Sequence, residues 1–389
     1  MENGYHPVIV VAAYNRSDSL KRILSSLEKA HYPEKVKLVI SIDNNGANQH
    51  VADAANDFNW KFGEKEVIYY SERQGLRNHI LKCGDLSLKY GSIIMLEDDL
   101  YVSPYFYDYT LKALDFYGDE PRLGGISIYG LPFAEANKLP FTAIEDDSDV
   151  FFMQMASSYG QCWTAKHWES FRNWYNTGPD LKAINGLPEK IKNWSESSWK
   201  KFYIGYLIIH DKYFVFPRHS YTTNFNDPGE NMIMRSLYVQ VPLEIFDRKV
   251  KFKKIDEAKN IYDAYSEILP ECINDMNPAL RDYDYDVDIY GKKDYISKPY
   301  VLTTRPVKKT VMGFERSMKP HEMNVIMNIS GDEIRLAKSQ DLIHREANIT
   351  EFSKEYAYFY TPIFRSSMLL QIVRNRLKEK YKAKLGRKS

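Results

Sequence analysis

The residues with the clearest chemical promise are three consecutive acids, Glu97-Asp98-Asp99, which end the apolar run Ile93-Ile94-Met95-Leu96. Carboxylates at the end of a buried strand are costly unless something positive offsets them. A magnesium or manganese ion suits that place, because it takes a few carboxylates and completes its shell with phosphate oxygens and water. Such an ion, bridging two phosphates, also stabilises a departing diphosphate as a Lewis acid. The competing reading is a solvated acidic turn, or a cap for a helix starting near Ser103-Pro104. The apolar run before the triplet favours the cation.

Two further strand ends carry polar groups. Asp43 closes Leu38-Val39-Ile40-Ser41-Ile42 and can accept a hydrogen bond from a base or a ribose hydroxyl, or simply open the turn Asn44-Asn45-Gly46. Arg16 follows the run from Val8, and a guanidinium suits phosphate, although a solvated charge at a helix start is the plainer alternative. The elements that must position these groups are strands over 7–14, 37–43, 66–71, 92–97 and 123–129. Between them, Leu20, Ile23, Leu24 and Leu27 predict a helix over 17–30, and a second helix spans 75–90. This alternation predicts an α/β fold with a mixed, mostly parallel sheet flanked by helices. Ligands of such sheets bind beyond the carboxyl ends of the strands, where the three polar ends would converge.

From about Val150 the pattern changes. Aromatics cluster over 157–175 and 194–206, and 213–216 reads as a strand. A boundary near 240 divides residues 1–240 from an α+β extension over 241–389. The 30 tyrosines suit sugar binding, with packing the blander explanation. A net charge of +1 selects no nucleic acid. Three scattered cysteines form neither a disulfide framework nor a zinc spacing, which fits a reducing compartment. No signal-like leader and no apolar stretch of the roughly 20 residues that span a bilayer is visible, so a cytoplasmic protein is expected. The last 25 residues hold nine Lys or Arg and one Glu, after apolar residues at helical spacing. That tail reads equally as an amphipathic segment for the anionic inner face of a membrane and as a docked helix with a solvated basic end.

Four blocks in order carry a family resemblance: Val8–Arg16, Ile40–Asp43, Gln74-Gly75-Leu76-Arg77-Asn78-His79 and Leu96–Leu100. Over residues 5–235 the chain resembles the GT-A glycosyltransferases, a Rossmann-like nucleotide-diphospho-sugar transferase architecture. Within them it is most similar to the branch of N-acetylglucosaminyltransferase I and its bacterial family 2-like relatives. The resemblance implies an inverting hexosyl- or N-acetylhexosaminyltransferase using a UDP-sugar and Mn2+ (or Mg2+). By it, Arg16 contacts the diphosphate, Asp43 the uracil, His79 lies near the base beside Arg77 and Asn78, Glu97 and Asp98 contact donor, ribose or metal-bound water, and Asp99 binds the metal.

Tyr159-Gly160-Gln161-Cys162-Trp163 resembles the family's segment beside the acceptor, which implies a substrate-binding Trp163. One departure matters. Relatives place a basic Asp after a tryptophan equivalent to Trp199, and this chain has Lys200. Glu196, one helical turn earlier if the segment is helical, is the substitute catalytic base, with Asp227 and Glu230 as further candidates. The acceptor is expected to be a glycan or lipid-linked saccharide of bacterial surface polysaccharide synthesis. The alternative is a non-catalytic nucleotide- or sugar-binding relative that lacks the base.

Overall fold

The computed structural model describes residues 4–227, 237–343, 359 and 365–385. Residues 1–225 with 238–343 form one compact unit, which therefore runs through the boundary expected near 240. A second unit takes 226–237 and 344–389.

The first unit is built on a nine-stranded sheet. Its N-terminal half contains β1 (Val8–Ala13), α1 (Ser17–Glu28), β2 (Leu38–Ile42), α2 (Gln49–Asp57), β3 (Lys65–Tyr69), α3 (Leu76–Tyr90) and β4 (Ser92–Glu97). Next come the short β5 (Leu100–Val102), α4 (Phe106–Tyr117), β6 (Leu123–Ser127), β7 (Val150–Met153), β8 (Gln161–Thr164) and α5 (Ala165–Tyr175). After α6 (Glu189–Lys192), α7 (Lys200–Ile209) leads into β9 (Tyr213–Pro217) and β10 (Thr222–Asn224), and β11 (Ile261–Tyr262) completes the sheet. The order is β11-β7-β9-β6-β8-β4-β1-β2-β3. Strands β4, β1, β2 and β3 are mutually parallel, as are β6 and β9, while β8 enters antiparallel between β4 and β6. The α/β class with helices flanking a mostly parallel sheet is thus the fold observed.

The chemistry of the strands explains the arrangement. All six residues of β1, Val-Ile-Val-Val-Ala-Ala, are buried, as are the five of β2. Such unbroken apolar runs fit only strands covered on both faces. In α1 the buried residues include Leu20, Ile23, Leu24 and Leu27, the predicted stripe. Gly84 of α3 lets α5 approach closely, since a Cβ there would meet the buried indole of Trp168. The C-terminal part supplies α+β structure: a four-stranded sheet ordered β12 (Tyr285–Asp288), β13 (Tyr300–Thr303), β15 (Ile334–Lys338), β14 (Met312–Phe314). Cys83, Cys162 and Cys272 are free and buried.

In the second unit, residues 366–385 form a helix. Its Met368, Leu370, Val373, Leu377 and Tyr381 side chains are exposed beside the basic ones. No helix among the described residues is long and apolar enough to cross a membrane.

Candidate functional site

Register decides what the strand ends can build. Ala13 lies opposite Ile42, and Ala12 opposite Glu97. Arg16, Asp43 and Asp98-Asp99 therefore leave the sheet at the same edge. One buried side chain, Asn48, ties that edge together. Its Nδ2 donates to the carbonyls of Tyr14 and Asp43 (the latter at 2.8 Å), and its Oδ1 accepts from the Tyr69 hydroxyl at 3.0 Å. Sequence reasoning missed Asn48, because within Asn44-Asn45-Gly46-Ala47-Asn48 it looks like one more turn residue.

At the edge, the Arg16 guanidinium donates to Asp98 Oδ1 and, at 3.2 Å, to Asp99 Oδ2. The other Asp99 oxygen accepts from Asn224 Nδ2 at 3.1 Å, and its carbonyl accepts from the Phe225 N–H at 2.9 Å. Asn224 belongs to β10, which pairs with β5 as an antiparallel ribbon beginning right after the triplet. Asn224 also went unseen in the sequence, since nothing local signals a partner 125 residues away.

The triplet is under electrostatic stress. Burial, then the neighbouring Asp99 and Asp98, push the Glu97 carboxyl up to about 8. Burial raises Asp98 to about 6 against the pull of Arg16. Among the described residues, Asp98 Oδ2 is buried and has no hydrogen-bond partner. A positive ligand or a hydroxyl donor is what such a group lacks. A divalent cation at this edge would supply that charge, and Asp98 and Asp99 are the carboxylates that could hold it. Among the described residues no three His, Cys, Asp or Glu side chains converge on one point. The cation would therefore need oxygens from phosphate and water, the habit of magnesium and manganese.

Asp43 is buried, and its two oxygens accept the backbone N–H groups of Gln74 (2.6 Å) and Gly75 (2.9 Å). It thereby fixes the entry to α3, where Gly75 has φ +74°, in the region that favours glycine. The first turn of α3 presents Arg77, whose guanidinium lies 5.1 Å from the Phe202 ring centre, and the exposed Asn78. His79 turns inward. It is buried, 2.8 Å from the Ser41 hydroxyl and edge-on to Tyr70, and burial lowers it to about 4. It is therefore neutral at physiological pH.

The two remaining expected residues are Trp163 and Glu196. Trp163 is fully buried, packed against Trp168 at 4.5 Å between ring centres and stacked on Tyr203 at 5.7 Å. It sits on β8 in mid-sheet under α5 and α7, so it serves the core and cannot touch a substrate. Glu196 is not on a helix. It occupies a turn before α7, with its side chain 84% exposed and 2.7 Å from Lys201. No contact joins it to the triplet among the described residues. Lys200 instead turns inward and forms a buried ion pair with Glu135, a residue that carries no local signal in the sequence. Asp227 falls in the second unit, and Glu230 lies outside the described residues.

No family model matches the sequence, and no curated protein matches it. Solved structures do show likeness in fold. Staphylococcus aureus TarS 1–349 is 13% identical, with 56% of this chain and 59% of that chain covered and a TM-score of 0.34. The mannosyltransferase PcManGT of Pyrobaculum calidifontis, in complex with GDP-Man and Mn2+, is 13% identical over 48% of this chain and 51% of that one, TM-score 0.29. GalNAc-T7 with UDP, GalNAc and Mn2+ is 12% identical over 56% and 43%, TM-score 0.38. This chain thus covers less than two-thirds of each of these three.

Proposed function

We propose that the chain is a metal-dependent inverting glycosyltransferase, moving a hexosyl or N-acetylhexosaminyl group from a nucleotide-sugar, a UDP-sugar first among them, to a saccharide hydroxyl. The observation that carries the reading is the meeting of Arg16, Asp98 and Asp99 at the carboxyl edge of a parallel sheet, with one Asp98 oxygen buried and unpartnered. A bound manganese or magnesium ion would supply charge to the departing diphosphate. Asp99 would hold that ion, and the neighbouring Arg16 would be the guanidinium available to phosphate oxygens. Asp98 Oδ2 accepts from a ribose hydroxyl or a coordinated water. Asp43 keeps the Gln74-Gly75 turn in place, so that Arg77 and Asn78 border the nucleoside, with the buried His79 supporting that turn from behind.

For the acceptor, the reading adopts a glycan or lipid-linked saccharide of surface polysaccharide synthesis, met on the cytoplasmic side. The exposed apolar and basic residues of the helix 366–385 suit an anionic bilayer surface. Co-sedimentation with vesicles rich in phosphatidylglycerol, lost on truncation before Arg365, checks that part.

The donor is tested by melting the protein with UDP-, GDP-, CDP- and dTDP-sugars, each with and without manganese. A specific donor stabilises by mass action. A rise in melting temperature that needs both nucleotide and metal is expected, and no rise with any of the four sinks the reading.

A further inference from the structure

Lys200 and Glu135 are 6% and 5% exposed and bonded to one another. Removing two charges from water costs several kcal/mol per ion, so a buried pair is weak evidence for stability and invites another explanation. Glu135 comes from the long connection between β6 and β7, Lys200 from the first turn of α7. Among the described residues Glu135 makes one hydrogen bond, from Lys200 to Oε1. Its second oxygen accepts none.

Aromatic rings surround the pair. Lys200 Nζ is 5.6 Å from the Tyr159 ring centre and 5.9 Å from that of Trp194. Phe133 meets Tyr238 edge-on at 4.9 Å, with Lys138 Nζ over both rings. Tyr129 leans on Tyr159 at 4.7 Å. At the rim of the group Tyr159 and Trp194 are half-buried and Tyr238 is 42% exposed. The group also adjoins the triplet. The Tyr159 carbonyl accepts from the Thr222 hydroxyl, two residues before the Asn224 that holds Asp99.

We propose that this group is the acceptor site, that Glu135 takes the proton of the attacking saccharide hydroxyl, and that Lys200 positions it. The proposal rests on the glycosyltransferase reading. The acceptor O–H bond breaks and its proton passes to Glu135 Oε2. The oxygen electron pair bonds to the anomeric carbon, and the bond from that carbon to the β-phosphate oxygen breaks with its electrons leaving on the nucleoside diphosphate. Tyrosine and tryptophan faces receive the apolar face of a sugar ring. Burial raises the Glu135 carboxyl, but Lys200 and Lys138 outweigh it and hold it below the ordinary range, so it is ionised at neutral pH and ready to accept. Position 200, where a base stood in the resembling family, would thus hold the cation that orients a base brought from elsewhere in the chain.

The test reads nucleotide release from UDP-GlcNAc, UDP-glucose, UDP-galactose and GDP-mannose with manganese, using water or chitobiose as acceptor, alongside nucleotide-induced thermal shift. Glu135→Gln is expected to lower release by about a hundredfold, the scale of a lost general base, with an unchanged thermal shift. Glu135→Asp should restore part of it. Lys200→Met should move the acid limb of the kcat/KM profile to higher pH, because Glu135 loses its nearest cation and faces only Lys138 and the tyrosines at 129, 159 and 238. A merely structural lysine would not move that limb. Should Glu135→Gln fail to fold around an unpaired ammonium, the double variant Glu135→Gln/Lys200→Met removes both charges and decides the matter. Release within threefold of wild type in either folded variant overturns the proposal. So does a wild-type chain that binds nucleotide and releases none. A chain that binds no nucleotide refutes the transferase reading itself.

Discussion

The two walls of the site are built in opposite ways. The proposed donor wall, with Arg16, Asp43, Asp98 and Asp99, comes from residues within three positions of the ends of three adjacent strands, and register alone brings them together. The proposed acceptor wall is assembled over long distances, from Glu135 on a connection and Lys200 on a helix, joined through a buried ion pair. The first wall is a consequence of the sheet and follows wherever the sheet forms. The second depends on loops packing correctly, and it is where one chain can differ from another that shares its fold.

That contrast can be broken at several points. Asp99→Ala should cost the most, lowering metal-dependent affinity for UDP by about a hundredfold or more, since the cation loses its one committed carboxylate. Isothermal titration measures it, and an unchanged affinity would move the metal off the strand edge. Asn48→Ala should lower the unfolding free energy by about 2–3 kcal/mol in urea titration, because two carbonyls and a tyrosine hydroxyl lose a buried partner together. A much smaller loss would show that register holds the edge unaided.

His79→Gln tests the same wall through pH. The folded pKa of His79, about 4, lies below the ordinary value of about 6.5, so its neutral form favours folding. Its contribution is complete above about 6.5 and is lost as pH falls toward about 4. Between those limits wild type should lose roughly 2 kcal/mol more stability than the variant. Equal slopes would mean that His79 is not sealed behind the donor wall. The smallest effect belongs to Glu196→Gln, expected to leave transfer within twofold and stability unchanged, as suits an exposed pair with Lys201. An inactive variant would shift the acceptor chemistry outward to that turn.

The same contrast explains what could be read from the chain. β1, β2, β4 and α1 were visible because unbroken apolar runs and a 3.6-residue stripe are local signals. The acidic triplet was visible because charge directly after such a run is improbable without a purpose. Asn48, Asn224 and Glu135 were not, because their importance lies in partners 34, 125 and 65 residues away. Trp163 misled for a related reason. A tryptophan near a glycine looks like a binding residue until β8 is seen to enter the sheet antiparallel between β4 and β6. Glu196 misled because its segment is a turn and not a helix, so the spacing of four residues placed it outward.

The central claim is that the carboxylates at the strand edge hold a divalent cation together with a nucleoside diphosphate. Electron paramagnetic resonance of manganese measures this directly, since the six-line signal of the free aqua ion disappears on binding. With the protein present, adding UDP should quench that signal beyond the loss UDP alone causes in wild type, and only to the UDP-alone level in Asp99→Ala. A signal unaffected by UDP and protein together, or quenched equally in the variant, would contradict it.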